Sequence, residues 1–204
     1  MQSTAPRSYL CNMCHRDATC KIREVCVQRP RLNLACGLMI KPEHINFDRL
    51  SQSRNLNGTI YQTDILGECL DIHKIFKPNT FVEILAFHIF EHFFYEEVPK
   101  MLGNLLTILK PGGVLVIECP DLLGAYDILV KRDANIRKFA ELILGVGQGA
   151  RKAYKESGAA HRSAWTGDMM AVEMEMAGYK INHHGPGQSH GMGRRDFRIE
   201  GVKQ

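Results

Sequence analysis

From Arg31 onward, short apolar runs alternate with helix-length stretches, and this alternation limits the fold more than any other property of the chain. A strand followed by a helix returns to a parallel neighbour, so the pattern predicts an α/β domain with a mainly parallel sheet. Arg31 to Ala35 reads as a first strand ending in Cys36-Gly37, and His44 to Asp48 as a second. Thr59 to Leu66 reads as a third, and Phe81 to Phe87 as a fourth, rich in residues that pack on a pleated surface. Val98, Met101, Leu102, Leu105, Leu106 and Leu109 recur at helical spacing until Lys110-Pro111-Gly112-Gly113 stops the helix. Val114 to Ile117 follows as a fifth strand. Thr166 can cap a helix over Met169 to Ala177 that Gly178 ends. Tyr179 to Asn182 and Asp196 to Val202 then suggest an antiparallel hairpin at the sheet edge.

With 204 residues, the chain suits one such domain plus a short appendage. Residues 1–30 form a basic, Cys-rich arm and residues 31–204 the domain, with 121–160 a helical insertion over the sheet. The arm and Arg31 hold Arg7, Arg16, Lys21, Arg23, Arg29 and Arg31 against Asp17 and Glu24, which accounts for the whole net charge of +4. A neutral body with a basic arm lacks the wide basic face of a nucleic-acid binder. No apolar run reaches the ~20 residues of a membrane span, and no secretory leader opens the chain. Seven cysteines, an odd count, then fit thiols in a reducing cytoplasm better than a disulfide framework. Cys11, Cys14, Cys20 and Cys26, with His15 as a substitute, could close a structural zinc site in the arm, although the paired spacing of a zinc ribbon is missing.

Open α/β sheets bind ligands beyond the carboxyl ends of their strands, where strand order reverses. Ala35-Cys36-Gly37 falls there as a small-residue turn, and Asp48 as a carboxylate able to accept from both hydroxyls of a ribose. Asp71 sits where a carboxylate could take the amine of an adenine. A dinucleotide fingerprint needs three glycines and an acid about 20 residues on; only Gly37 is present, and Asp48 follows too soon. That disfavours a pyrophosphate and leaves a nucleoside, the alternative being a plain tight turn and a solvated strand end. His88-Ile89-Phe90-Glu91-His92 has three readings: an inverted zinc-protease motif, a structural histidine pair, or an edge facing cofactor and substrate. The zinc reading requires a helix there and a third ligand downstream. His183, His184 and His190 read as solvent-exposed loop residues.

Taken in order, these segments resemble a known family. Leu32-Asn33-Leu34-Ala35-Cys36-Gly37, Ile45-Asn46-Phe47-Asp48, Asp64-Ile65-Leu66-Gly67 leading to Asp71-Ile72, and His88 to Phe93 are similar to the class I S-adenosylmethionine-dependent methyltransferases. Leu109 to Leu115 followed by Pro120-Asp121 matches the same family's later signature, and the nearest branch looks like the small type 11-like predicted methyltransferases. The resemblance implies a Rossmann-like sheet with an antiparallel C-terminal hairpin and helices on both faces. It implies S-adenosylmethionine as cofactor, with Ala35, Cys36 and Gly37 against its methionine part and Asp48 on its ribose. Asp71 and Ile72 would flank the adenine, Phe87 and His88 would form the floor, and Asn33 completes the cofactor set. His88, Glu91, His92 and His161 are the candidates for a catalytic base, and Gln148, His161 and Trp165 for contacts to a small polar or glycan-related acceptor. Where the family usually has Gly-Cys-Gly, this chain has Ala35-Cys36-Gly37; the added methyl is harmless if φ there is negative. A catalytically degenerate cofactor-binding or interaction module of the same fold is the alternative this departure leaves open.

Overall fold

The computed structural model describes residues 29–54, 57–146, 160–189 and 193–204. In chain order its strands are β1 (Arg31–Leu34), β2 (Ile45–Asp48), β3 (Gln52–Arg54), β4 (Ile60–Gln62), β5 (Ile65–Leu66), β6 (Phe81–Phe87), β7 (Leu109–Pro120), β8 (Tyr179–Pro186) and β9 (Asp196–Lys203). The helices are α1 (Ile72–Ile75), α2 (Val98–Ile108), α3 (Leu122–Tyr126), α4 (Ile136–Ile143) and α5 (Gly167–Met176). Seven strands form one sheet in the order β5-β2-β1-β6-β7-β9-β8. The first five are parallel, and β9 is antiparallel to both of its neighbours. Successive strands step outward from β1 to β2 to β5, then restart at β6 on the other side of β1. The gap between the carboxyl ends of β1 and β6 is therefore the point where strand order reverses, and it becomes the ligand-binding crevice of such a sheet.

Side chains alternate across a strand, and here the alternation sorts them between two environments. Leu32, Leu34, Ile45, Phe47, Ile84, Ala86, Leu115, Ile117 and Ile199 enter one buried core. Ile72 of α1, Met101, Leu102 and Leu105 of α2, and Met170 and Met174 of α5 close that core from the same side. The opposite face carries a smaller cluster of Leu85, Phe87 and Val116 against Met39 and Val114. It also carries the polar residues Asn33, Asn46, Asp48 and Glu118, all buried. The expected stripe on α2 is present, with Val98, Met101, Leu102 and Leu105 fully buried. Lys110 to Gly113 bulges out of the ladder between the Phe81–Leu109 and Glu83–Val114 pairs, and Gly112 takes φ +74° to make the turn. Thr166 caps α5 by accepting the Met169 N–H, and Gly178 beyond its end has φ +100°.

The third expected strand is divided. Ile60 to Gln62 pairs antiparallel with β3, whereas Ile65 and Leu66 join β2 in the main sheet. Thr63 causes the break: its N–H donates to Ser51 O and its hydroxyl to Leu50 O at 2.8 Å, turning the chain between the two pairings. The arm up to residue 28, with Cys11, Cys14, Cys20 and Cys26, lies outside the described residues, as do Gln148 and His190. Among the described residues, no helix is long and apolar enough to cross a membrane.

Gly67 follows β5 where the chain passes closest to the core. A Cβ there would sit 2.6 Å from Ile75 Cδ1 and 2.7 Å from Phe47 Cζ. Gly67→Ala is expected to cost ~1–3 kcal/mol by overpacking, measured as a lowered urea midpoint; an unchanged midpoint contradicts the packing.

Candidate active site

The carboxyl tips of β1, β2 and β5 end at the same sheet edge. Ala35 leaves β1 with φ +49° and Gly37 follows with φ +48°, so the chain turns back sharply over the strand end. The turn is held by the Gly37 N–H, which donates to Asp48 Oδ2 at 2.9 Å, while the Leu50 N–H donates to Asp48 Oδ1 at 3.0 Å. Asp48 is 8% exposed. A carboxylate offers about four lone-pair sites, so two backbone bonds leave acceptor capacity at this edge. The Gly67 N–H donates to Asp48 O at 2.9 Å, which brings the segment leading to Asp71 beside the same tip. Asp71 pairs with Lys74 at 2.8 Å. Gly37 and Asp48 therefore share one edge, with the Gly67 segment that leads to Asp71 beside them.

Other expected contacts are already committed elsewhere. Asn33 Nδ2 donates to Met39 O at 2.6 Å and to Asn46 Oδ1 at 2.9 Å, pinning the segment 35–44 that links β1 to β2. Ile72 is fully buried in the main core, since the side of α1 that carries it faces the sheet. Cys36 is 2% exposed, and burial, reinforced by the Asp48 charge, pushes its thiol up to about 12. That thiol is a packing group and not a nucleophile.

At the end of β6, His88 also takes a positive φ, +52°, and its N–H extends the ladder to Glu118 O at 2.8 Å. A single turn of 3₁₀ helix follows, Phe90–His92, so the α-helix that an inverted zinc-protease motif needs is not formed. Instead of facing His92, His88 faces two carboxylates: Nδ1 lies 3.2 Å from Glu91 Oε1, and Nε2 lies 3.8 Å from Asp196 Oδ2. Glu91 is 2% exposed. Cys119 Sγ–H donates to its Oε2 at 3.2 Å, and His161 Nε2 stands 3.9 Å from its Oε1. The rings of His92 and His161 meet edge to face, 5.0 Å between centroids.

Glu91 is thus the hub on which the other three candidate catalytic residues converge, although His161 lies far along the chain. The segment carrying His161 is sewn to it by backbone: Arg162 and Ser163 N–H donate to Glu91 O at 2.7 and 3.2 Å. Burial alone would raise the Glu91 pKa, but the His88 hydrogen bond and the charge of the surrounding imidazoles win, and the carboxyl is held below its ordinary value. Burial alone would lower His88, yet its bond to Glu91 and the charges of Glu91 and Asp196 raise it. His161 is lowered, chiefly by burial. Trp165, expected to face the acceptor, is a core residue instead. It is 2% exposed, with Nε1–H donating to Ser163 Oγ at 2.8 Å and Tyr95 packed edge-on against its ring. A lone Trp in a polar segment reads equally well as a sugar platform or an anchor, and here it anchors the His161 segment.

No protein-family model matches the sequence, and no curated protein matches it. Solved structures do match. A SAM-dependent methyltransferase from Methanosarcina mazei superposes with a TM-score of 0.57 at 14% identity, over 89% of this chain and 96% of that one. Another from Archaeoglobus fulgidus gives 0.51 at 12% identity, over 90% and 91%. A protein from Pyrococcus horikoshii gives 0.52 at 12%, over 85% and 81%. The chain has the class I S-adenosylmethionine-dependent methyltransferase fold. Within that fold, Ala35 and His88 are two of only four described non-glycine residues with positive φ, and they flank the crevice from β1 and β6. Backbone strain of this kind concentrates at working sites.

Sequence reading missed Glu118, although a lone carboxylate inside Val116-Ile117-Glu118-Cys119 was its signal. Glu118 is fully buried on β7, where Arg198 Nη1–H donates to Oε1 at 2.9 Å. The Gln188 and Ser189 N–H groups donate to Oε2 at 3.2 and 2.8 Å, so this one side chain ties the connection between β8 and β9 to the crevice side of the sheet.

Two measurements follow. Ala35→Gly is expected to gain about 0.5–1 kcal/mol in urea unfolding, because left-handed strain of ~1–2 kcal/mol outweighs the extra chain entropy of glycine; a loss would refute the strain. For Glu118, burial is outweighed by the bonds from Ser189, Arg198 and Gln188, so its folded pKa lies below the ordinary 4.5. Its stabilisation is complete above that value and drains away as pH falls through the depressed folded pKa. Glu118→Gln should therefore cost ~3 kcal/mol at pH 7, with a gap from the parent that narrows below pH 4.5. A gap independent of pH would remove the ion pair from the account.

Proposed function

We propose that this chain is an S-adenosylmethionine-dependent methyltransferase that acts on a small polar or glycan-related acceptor. The observation that carries the reading is the bond from the Gly37 N–H to the Asp48 carboxylate. It sets a sharp turn and an acid side by side beyond the ends of β1 and β2. Such an edge fits a nucleoside: the turn lets backbone approach the ligand closely, and Asp48 retains lone pairs for ribose hydroxyls. Gly37 has only Ala35 O, at 3.9 Å, near the position of a Cβ, so the turn is open on the side where a ligand would lie.

Gly37, Asp48 and Asp71 would hold the adenosyl part, and Phe87 and His88 would line the floor. When bound, the cofactor supplies a methyl group on a positively charged sulfur, so its leaving group needs no protonation. The protein's own task is to hold the acceptor in line and to receive its proton. The imidazoles gathered on Glu91 suit the second task. Glu91 orients His88 from beneath, and His161, with Nδ1 bonded to Ile143 O at 3.0 Å, presents Nε2 to the same space. The segment from Asp121 through α3 and α4 supplies the acceptor cap, with Leu123, Tyr126 and Ile136 exposed upon it. The free thiols of Cys36, Cys69 and Cys119 fit a reducing compartment. The reading as a degenerate module draws support from Ala35 alone.

Titration calorimetry of the full chain with S-adenosylmethionine is expected to give a dissociation constant on the order of 1–100 μM. Asp48→Ala should weaken it by ~1.5–3 kcal/mol, the worth of hydrogen bonds to a charged group. A folded protein that binds no cofactor would sink the enzyme reading, and an unchanged affinity in the variant would sink the ribose assignment.

A further inference from the structure

The cluster around Glu91 holds more than an acid–base pair needs. One carboxylate oxygen of Glu91, one ring nitrogen of His92 and one of His161 all lie within 4.8 Å of one another. Two imidazoles and a carboxylate form a three-ligand set that leaves a further position open on a divalent cation. Tetrahedral bonds of about 2.0–2.2 Å put ligand atoms roughly 3.3–3.5 Å apart, so modest ring rotations close the set.

Its surroundings are those of a metal site. A ligating imidazole is normally fixed through its other nitrogen, and His161 Nδ1–H is bonded to Ile143 O at 3.0 Å, which leaves Nε2 with its lone pair toward Glu91. Ligating carboxylates are in turn held by outer partners. Glu91 has two, His88 Nδ1 at Oε1 and the Cys119 thiol at Oε2. Among the described ion pairs, no Lys or Arg reaches Glu91. A carboxylate at 2% exposure ringed by imidazoles suits a divalent cation better than it suits solvent.

We propose that Glu91, His92 and His161 bind one first-row divalent metal ion at the carboxyl end of β6, with His88 outside the ligand set orienting Glu91. The open position takes an oxygen ligand: water, or a hydroxyl or carboxylate oxygen of the acceptor. Metal binding stands on these residues alone, while the acceptor's place on the metal rests on the methyltransferase reading.

The test uses the full chain, stripped with chelator and titrated with Co²⁺ against a competing chromophoric chelator, with the visible absorption recorded. One equivalent is expected to bind through nitrogen and oxygen ligands, without the near-ultraviolet thiolate band that the arm cysteines would produce. His161→Ala and His92→Ala should each weaken it by more than the ~10–100-fold that losing an outer partner costs. A Cys11→Ser, Cys14→Ser double variant should leave it unchanged. Circular dichroism keeps an unfolded variant out of the comparison, and two ligand variants guard against the failure of one. Binding that survives both histidine substitutions, or that follows the cysteines, overturns the proposal. Calorimetry with S-adenosylmethionine on the same samples separates the two readings: cobalt bound without cofactor leaves the metal site standing and removes the methyltransferase.

Discussion

The hydrogen bond from the Gly37 amide to the Asp48 carboxylate is the constraint on which the crevice depends. Asn33 and Asn46 hold the later part of the helix-free segment between β1 and β2, and this bond holds the Gly37 turn against the tip of β2. With it, the backbone of the turn becomes part of the binding edge, at the cost of left-handed torsions at Ala35 and Gly37. The mirror feature on the other lip is His88, also left-handed, whose amide continues the β6–β7 ladder while its ring swings toward Glu91. The two strained residues face each other across the reversal of strand order, where a sheet of this connectivity concentrates its chemistry.

Most of the fold was legible because the apolar alternation that buries a sheet is a local property. Leu32 and Leu34, Ile45 and Phe47, and Leu115 and Ile117 announce their strands and their buried face in the same few letters. The misreading at Thr59 to Leu66 has an equally local cause. Nothing in the alternation reveals that Thr63 bonds back to the Leu50–Ser51 segment and so sends its two flanks to different partners. The position of Asp48 at a strand end was legible too, because it closes the short apolar run of β2. Ile72 and Trp165 were not, since a residue adjacent to a site and one that supports it from beneath have the same letters. The meeting of His161 with Glu91 and His92 is a product of tertiary structure, made by two backbone bonds to Glu91 O and by the Trp165 anchor.

Glu118 and Glu91 are two of the buried carboxylates among the described residues, and they are answered differently. Glu118 is answered by an arginine and two amides, an arrangement that fixes a connection and leaves that carboxylate little reactive character. Glu91 is answered by imidazoles and a thiol, groups that can exchange protons or coordinate cations. Glu118 lies on β7 and Glu91 in the 3₁₀ turn that follows the neighbouring β6, and their chemistry differs because their neighbours do.

The place of β9 has a consequence for how the molecule is put together. Because β8 touches the sheet only through β9, it has no edge to join until the later strand is in position. Pairing of β9 with β7 carries Ile199 and Phe197 into the core and creates the edge that β8 joins. Before that pairing, β7 is an unprotected edge, a template for any other chain's strand. In covering that edge, β9 guards the protein against aggregation as well as completing its core.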